Sequence, residues 1–215
     1  MTSYSVAAIR NIEHYVIDQL GIAENELMFR AGQQAWEVLR SRWQQAKRIA
    51  VLCGPGNNGG DGYVVARLAM TQGCNVDVYT VSDTARVGKA AMYAYQQYLD
   101  AGGSVLVWQD LLVPCDVIVD ALFGIGLQRP LAGVYAQMVR VVNASNIPVL
   151  ALDVPSGLNA DSGKPLGAGI GEVIYADVTA TFIGTKTGLT KASSYVGDII
   201  CCDLQLPPTA YAVAS

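Results

Sequence analysis

Residues 53–69, CGPGNNGGDGYVVARLA, decide the fold, because they join a short apolar run to an amphipathic stretch through a glycine-rich turn. The run 48–53 (RIAVLC) leads into this turn, and its nearly continuous apolar character is typical of a parallel β-strand covered on both faces. Apolar residues at helical spacing over 61–72 predict a helix that opens at Asp61. The segment therefore predicts a strand–turn–helix unit of an α/β sheet.

The same alternation of short apolar runs and helical patterns continues outward from this unit. Further strands are predicted at 76–81, 104–108, 115–122, 148–154, 176–183 and 196–204, and further helices at 84–100, 133–145, 4–20 and 24–45. Neither an internal repeat nor a linker interrupts this order. We expect one domain over 1–215, with a Rossmann-like three-layer α/β/α sandwich, a mostly parallel sheet and an N-terminal helical extension.

Composition excludes several classes of function. Among the 215 residues 52% are hydrophobic and 15% are charged, which excludes a disordered chain, and a net charge of -4 provides no basic field for nucleic acid or an anionic membrane. No apolar run reaches the ~18 residues of a membrane helix, and the N-terminus lacks a secretory pattern. We expect a cytoplasmic protein with neither nucleic-acid nor membrane partners.

The glycine-rich turn is a weak motif by itself. Gly54, Gly56 and Gly59 meet the spacing of a dinucleotide fingerprint, but no Lys-Ser/Thr follows them and no acidic residue ends the second predicted strand. Asp61 argues against a simple pyrophosphate cradle, since it puts a fixed carboxylate where the helix dipole would attract phosphate. The plainer alternative is that Asp61 is an N-cap and 57–60 a turn.

Three other unusual segments follow predicted strands in the same way. They are DALFGIGLQRPLAG (120–133), DVPSGLNADSG (153–163) and IGTKTGL (183–189). In a parallel sheet of strand order 3-2-1-4-5, all of these segments emerge at the carboxyl edge, where the order reverses and ligands bind. Asp120 and Asp153 would then lie opposite Asn58 and Asp61, which predicts a site there.

Oxygen-bearing side chains dominate this predicted site. Asn58, Asp120 and Ser156 bring oxygens but neither histidine nor cysteine, so they favour an alkali or alkaline-earth cation over zinc, copper or iron. A single carboxylate among neutral oxygens suits a monovalent ion better than calcium.

The four segments 54–67, 120–131, 153–163 and 184–189 resemble the NAD(P)H-hydrate epimerase family, the YjeF N-terminal domain, and weaker similarity extends the match to about 4–207. The resemblance implies an isomerase of nicotinamide-nucleotide repair that interconverts the R and S forms of hydrated NADH or NADPH. The product would supply an S-specific, ADP- or ATP-dependent dehydratase, which is fused to the epimerase domain in many bacteria. Homodimers are common in the family.

The resemblance also implies residue roles. A potassium ion would be held by Asn58, Asp120 and Ser156. Substrate contacts would come from Asn57, Asn58, Gly59, Gly60, Asp61, Gly124, Ile125, Gly126, Leu127, Gln128, Arg129, Pro130 and Asp153. The chain departs from the family at Ile125, where threonine is frequent, and at Thr185 and Thr187 around Lys186. Lys186 has three open interpretations, as a phosphate ligand, as a partner of Asp153 or as a solvated loop lysine.

The reaction needs an acid/base group beside the hydroxyl-bearing carbon, and we expect Asp153 to supply it. His14 is expected to be structural. A nicotinamide-dependent dehydrogenase and a non-catalytic binding module of the same fold are the alternative functions. The apolar residues Met28, Trp36, Leu39 and Trp43 of the N-terminal helices predict a surface for a second subunit.

Overall fold

The computed structural model describes residues 2–81, 88–109, 113–167 and 171–214, which form an α/β structure. Its strands are β1 (Ser3–Tyr4), β2 (Arg48–Cys53), β3 (Asn75–Thr80), β4 (Val105–Val107), β5 (Val117–Ala121), β6 (Val149–Leu152), β7 (Val178–Phe182), β8 (Thr185–Lys186) and β9 (Asp198–Cys202). Its α-helices are α1 (Val6–Asp18), α2 (Glu24–Arg42), α3 (Asn57–Thr71), α4 (Lys89–Asp100), α5 (Gly133–Ala144) and α6 (Ser193–Val196). Two 3₁₀ helices cover Leu189–Lys191 and Pro208–Val213.

Seven strands form the main sheet in the order β4-β3-β2-β5-β6-β7-β9. Every neighbouring pair in this sheet is parallel. The predicted order and the predicted α/β class are confirmed, and the sheet continues two strands further than the five that we ordered from sequence. The order reverses between β2 and β5, so the loops after these strands flank the point at which doubly wound sheets bind ligands.

Alternate residues of the strands face two different helical layers. Ile49 and Val51 of β2 pack on the side that carries α1 to α4, whereas Ala50 and Leu52 pack on the side of α5. Both faces are therefore covered, which explains why β2 reads as a continuous apolar run. The three layers are unequal, because four helices lie on one face.

The N-terminal helices belong to this thicker layer. Trp36 is 3% exposed and Leu39 is fully buried, while Met28 contacts Gly60 of α3. Gly32 lets α2 approach α3 closely, since a Cβ atom there would lie 2.4 Å from Cβ of Val64. The predicted subunit surface is therefore wrong for these side chains, because they pack inside their own chain; Trp43 also packs partly against this core.

Helix α3 begins earlier than the sequence predicts. Its first residue is Asn57 and its N-cap is Gly56, so residues 57–60 form the first helical turn and Asp61 lies inside the helix. Both the turn and the N-cap interpretations are wrong. Glycine makes the early start possible, because a Cβ atom at Gly59 would lie 2.0 Å from the carbonyl oxygen of Gly54. The predicted start of α4, at 84, lies outside the described residues.

Within those same four ranges, none of the helices is long and apolar enough to cross a membrane.

Candidate active site

A cavity of about 310 Å³ opens at the carboxyl edge of the sheet, where the segments after β2, β5, β6 and β7 meet. Helices α1 and α2 cover it. Its polar side chains are Arg10, Glu13, Glu24, Asn57, Asn58, Asp61, Asp153 and Lys186, and the backbone of 124–126 completes the wall. The structure therefore brings four of the predicted segments together, as parallel strands require.

Asp153 follows β6 directly and points into this cavity. Its backbone is in the left-handed region, with φ of 65°, and its N–H donates to the carbonyl oxygen of Ala180 at 2.8 Å. The Oδ2 atom accepts a hydrogen bond from the N–H of Ile125 at 3.0 Å. Glycine is needed beside it, since a Cβ atom at Gly124 would lie 2.5 Å from that oxygen. The loop after β5 thus fixes one edge of the carboxylate.

Lys186 fixes the other edge. It is 1% exposed, and its Nζ donates to Oδ1 of Asp153, to Oγ1 of Thr181 at 3.0 Å and to the carbonyl oxygen of Phe182 at 2.8 Å. These bonds use all three ammonium donors, so none is left for a phosphate. The structure selects the Asp153 partner among the three open interpretations, and the solvated-loop interpretation is wrong.

The segment that carries Lys186 is itself held by the N-terminus. Strand β8 pairs in parallel with β1, where Tyr4 is in register with Lys186, and the N–H of Thr187 donates to the carbonyl oxygen of Tyr4 at 2.9 Å. The sequence pattern missed this pair, because two-residue strands leave no periodicity to detect.

Asp120 is the penultimate residue of β5 and is fully buried. Its Oδ1 accepts from Oγ of Ser156 at 2.7 Å, and its Oδ2 accepts from the N–H of Ser156 at 2.8 Å. Burial raises the pKa of Asp120 to about 6, although the bonds from Ser156 and from the N–H of Leu122 lower it. In the part of the chain that the structure describes, no cationic side chain pairs with this carboxylate.

Asn58 lies in the first turn of α3. Neither its Oδ1 nor its Nδ2 has a hydrogen-bond partner among the described residues, although both atoms are buried. Buried amides are normally bonded, so an unpartnered oxygen indicates a place where a ligand supplies the missing contact. Asp120 and Ser156 contact each other, and the oxygens of all three side chains are of the kind that suits a monovalent cation.

Asp61 also lies on the wall formed by α3. Burial raises the pKa of its carboxyl group well above the usual value, and the negative charges of Asp153 and Glu13 raise it further, whereas Lys186 lowers it. None of the hydrogen bonds found in the described ranges reaches the Asp61 carboxyl group. This acidic group is therefore free to meet a ligand in the cavity.

The other predicted substrate residues divide into three sets. Gly124, Ile125 and Gly126 line the cavity, and so does Asn57, whose Nδ2 donates to Oε1 of Glu24 at 3.1 Å. An adjoining depression, which shares Gly126 with the cavity, is lined by Leu127, Gln128 and Arg129. Pro130 lines neither the cavity nor this depression. Gly59 and Gly60 are buried in packing, against Gly54 and against Met28 with Ala91.

Sequence reasoning missed the contribution of α1 to the site. Glu13 and Arg10 line the cavity from this helix, and burial, together with Asp153 and Glu24, raises the pKa of Glu13. A usable signal was present, since Glu13 follows Ile9 by four residues and so shares a helical face with a buried position. His14, which we expected to be structural, is exposed and does not line the cavity.

Comparisons with known proteins identify the family. The family model described as YjeF-related protein N-terminus matches residues 24–188 of the sequence. The bifunctional NAD(P)H-hydrate repair enzyme Nnr of Coxiella burnetii is 41% identical over 200 residues, which cover 92% of this chain and 40% of that one. The NAD(P)H-hydrate epimerase of Limosilactobacillus fermentum is 37% identical over 209 residues, 94% of this chain and 98% of the relative.

The fold is also found in a solved structure. The crystal structure of the yeast protein ynu0 superposes with a TM-score of 0.78 at 22% identity, over 94% of this chain and 87% of the yeast chain. This chain spans about two fifths of the bifunctional relatives, but nearly the full length of the L. fermentum epimerase.

Proposed function

The chain belongs to the family of the YjeF-related protein N-terminus, and from this premise we propose that it is an isomerase that interconverts the R and S epimers of hydrated NADH or NADPH. The observation that carries the proposal is the Asp153 carboxylate, which faces a cavity and is fixed by Lys186 and by the N–H of Ile125. Epimerisation needs a proton acceptor held beside the hydroxyl-bearing ring carbon, and this carboxylate meets that need.

Asp153 keeps capacity for substrate in this arrangement. Each carboxylate oxygen accepts one protein hydrogen bond, and each retains a further lone-pair direction. A substrate hydroxyl can therefore donate to Asp153 without displacing either Lys186 or Ile125. Because both edges of the carboxylate are fixed, it meets the hydroxyl in one orientation, and little motion has to be arrested in the transition state.

The bound ion in this proposal is potassium, held by Asn58, Asp120 and Ser156. It would supply a positive charge that compensates the buried Asp120 and a partner for the orphaned Asn58 oxygen. Asp120 and Ser156 themselves hold the loop after β5, because the N–H of Phe123 donates to Oγ of Ser156 at 2.9 Å. This loop continues into 124–126, so Asp120 and part of the substrate wall belong to the same segment of the chain.

The remaining parts of the proposal concern partners and location. The S epimer would pass to an NAD(P)H-hydrate dehydratase, either fused or separate, and relatives named bifunctional repair enzymes support this link. We also propose a cytoplasmic homodimer, whose interface lies outside the buried side chains of α2. Neither nucleic acid nor membrane is a partner in this proposal, in keeping with the net charge of -4.

The test is direct. The purified protein is mixed with the R epimer of NADPH hydrate in the presence of K⁺, and the S epimer is followed by chromatography. We expect exchange well above the spontaneous rate. Exchange at only the spontaneous rate would favour a non-catalytic binding module, and a change in nicotinamide absorbance with simple alcohols or hydroxy acids would favour a dehydrogenase.

A further inference from the structure

Asp61 of α3 differs from Asp120 and Asp153, the carboxylates near the ends of the central strands, in its hydrogen bonds. Asp153 and Asp120 each accept hydrogen bonds from protein groups, whereas no donor reaches Asp61 in the described ranges. Its residue is 8% exposed, and the exposed part faces the cavity that also receives Asp153. The position is fixed, because residue 61 lies in the second turn of α3 and the neighbouring glycines pack against β2, β5 and α2.

Charged and titratable groups are contributed by every element that surrounds the cavity, and Asp153, Glu13 and Lys186 are those that act on the Asp61 carboxyl group. Helix α1 contributes Arg10 and Glu13, α2 contributes Glu24, the segment after β6 contributes Asp153, β8 contributes Lys186, and β2 contributes the buried Cys53 thiol. The only buried cation of this set, Lys186, is bonded to Asp153. Burial, and then the negative charges of Asp153 and Glu13, hold the pKa of the Asp61 carboxyl group well above its usual range, although Lys186 lowers it.

The two carboxyl groups of the cavity thus have opposite environments. Asp153 accepts bonds from an ammonium group and a backbone N–H, which are donors that suit a carboxylate. Asp61 has burial and like charges, which favour the neutral acid. Such a divergence between two neighbouring carboxyl groups is the usual basis for dividing acid and base roles.

We propose that Asp61 is the catalytic proton donor of this site and that it works in a pair with Asp153 as the base, an assignment that rests on the proposed epimerase function. In the forward step Asp153 takes the proton of the ring hydroxyl, the carbon–nitrogen bond of the hydrated ring breaks, and the carbon becomes an aldehyde. The electron pair of the broken bond stays on the ring nitrogen, which takes the proton of Asp61.

Reclosure then reverses the roles of the two groups. After the aldehyde group rotates, the ring nitrogen attacks the other face of the aldehyde carbon and returns the proton to Asp61. Asp153 then returns its proton to the new alkoxide. The sequence consumes no water, oxidant or reductant, and both groups end in the states in which they began. One pair therefore serves both directions of the exchange, as an epimerase requires.

The test compares Asp61→Asn with the wild-type protein over a range of pH, in the exchange assay with K⁺. We expect kcat to fall at least about 100-fold, because the amide fills the same space but cannot transfer a proton, while KM changes less than about threefold. The wild-type rate should decline on the alkaline side as Asp61 loses its proton, and the residual rate of Asp61→Asn should lack that decline. Asp61→Glu should recover at least about tenfold over the asparagine variant.

Asp18→Asn is the matched control, since it makes the same change on the exposed end of α1 and should leave rate and pH profile unaltered. Thermal melting and substrate binding establish that the variants are folded, and Asp61→Ser serves as a second variant without a transferable carboxyl proton.

The outcomes separate the two proposals. A wild-type protein without exchange overturns the epimerase function and the pair with it. Exchange by wild type with a nearly unchanged rate in Asp61→Asn and Asp61→Ser overturns the donor role alone. A slowed Asp61→Asn that keeps the alkaline decline also overturns it, because the decline would then belong to another group.

Discussion

The two walls of the cavity differ in how their polar groups are satisfied. On the wall after β6, Asp153 and Lys186 bond to each other, and each has at least one further protein partner. On the wall of α3, Asn58 has two buried atoms without partners, and Asp61 accepts no hydrogen bond in the described ranges. We call the side with Asp153 and Lys186 the bonded wall and the side with Asn58 and Asp61 the open wall. The bonded wall holds one geometry, whereas ligands complete the contacts of the open wall.

Energetics support this distinction. A buried polar group without a partner costs about 1–3 kcal/mol, so a folded chain keeps few of them. Two such atoms on the single side chain of Asn58, which lines the cavity, are therefore best explained by function. The predictions below test the part of the bonded wall in rate and stability, and the response of Asp120 and of Asn58 to cations.

The largest effect should come from the bonded wall. We expect Asp153→Asn to lower the exchange rate about 10³-fold, because the amide cannot accept the substrate proton. Nucleotide binding should remain, since the amide keeps nearly the same shape. Chromatographic exchange and equilibrium binding are measured on the same preparation, and turnover like that of wild type would refute the role of Asp153.

Loss of Lys186 should affect folding as well as rate. Lys186→Met leaves Asp153 buried without its cation, and removing one member of a buried pair costs about 3–5 kcal/mol. Urea unfolding measures the loss. Lys191→Met is the matched control on an exposed position and should change stability little. Equal stabilities of the two variants would show that the buried pair has no special role.

Asp120, the carboxylate of the proposed cation site, should respond to pH and cations together. Because the pKa of Asp120 is raised to about 6 in the folded chain, the native state holds this proton more tightly than the unfolded chain does. Without K⁺, Asp120 does not change the free energy of unfolding at a pH below the pKa that it has in the unfolded chain. The free energy of unfolding falls as the pH rises from that value to about 6, and above about 6 the loss is about 3 kcal/mol. Potassium should therefore raise Tm more at about pH 8 than at about pH 5.

The comparison uses K⁺ and Na⁺ at equal ionic strength. A Tm shift that is the same for both ions, or larger at the lower pH, would contradict a potassium site at Asp120.

Asn58 should produce the smallest change in the cation-free protein. Asn58→Ala removes two unpartnered atoms, so without K⁺ its stability should change by no more than about 1 kcal/mol. With K⁺ the variant should lose the cation-induced rise in Tm. A variant that melts identically in K⁺ and Na⁺, beside a wild type that discriminates between them, is the expected result; an unchanged response to K⁺ would exclude Asn58 as a ligand.

Much of the fold was predictable because parallel strands covered on both faces need continuous apolar runs. The strand order and the meeting of 120–133, 153–163 and 183–189 at one edge follow from that pattern and from the geometry of parallel sheets. The early start of α3 was not predictable, since 57–60 has the composition of a turn and only close packing of Gly59 on Gly54 makes it helical. Trp36 was misplaced for a related reason, because an amphipathic stripe does not tell whether its partner is the same chain or another.

The sequence by itself determined the parallel sheet, its carboxyl-edge segments and the candidate carboxylates, because apolar periodicity and short motifs are local properties of the chain. Only the tertiary structure decided what each polar group meets. The pairing of Asp153 with Lys186 joins positions 33 residues apart, and Glu13 reaches the same cavity from a helix before the sheet begins. Protonation and partner depend on burial and on neighbouring charge, which arise only when distant segments pack together.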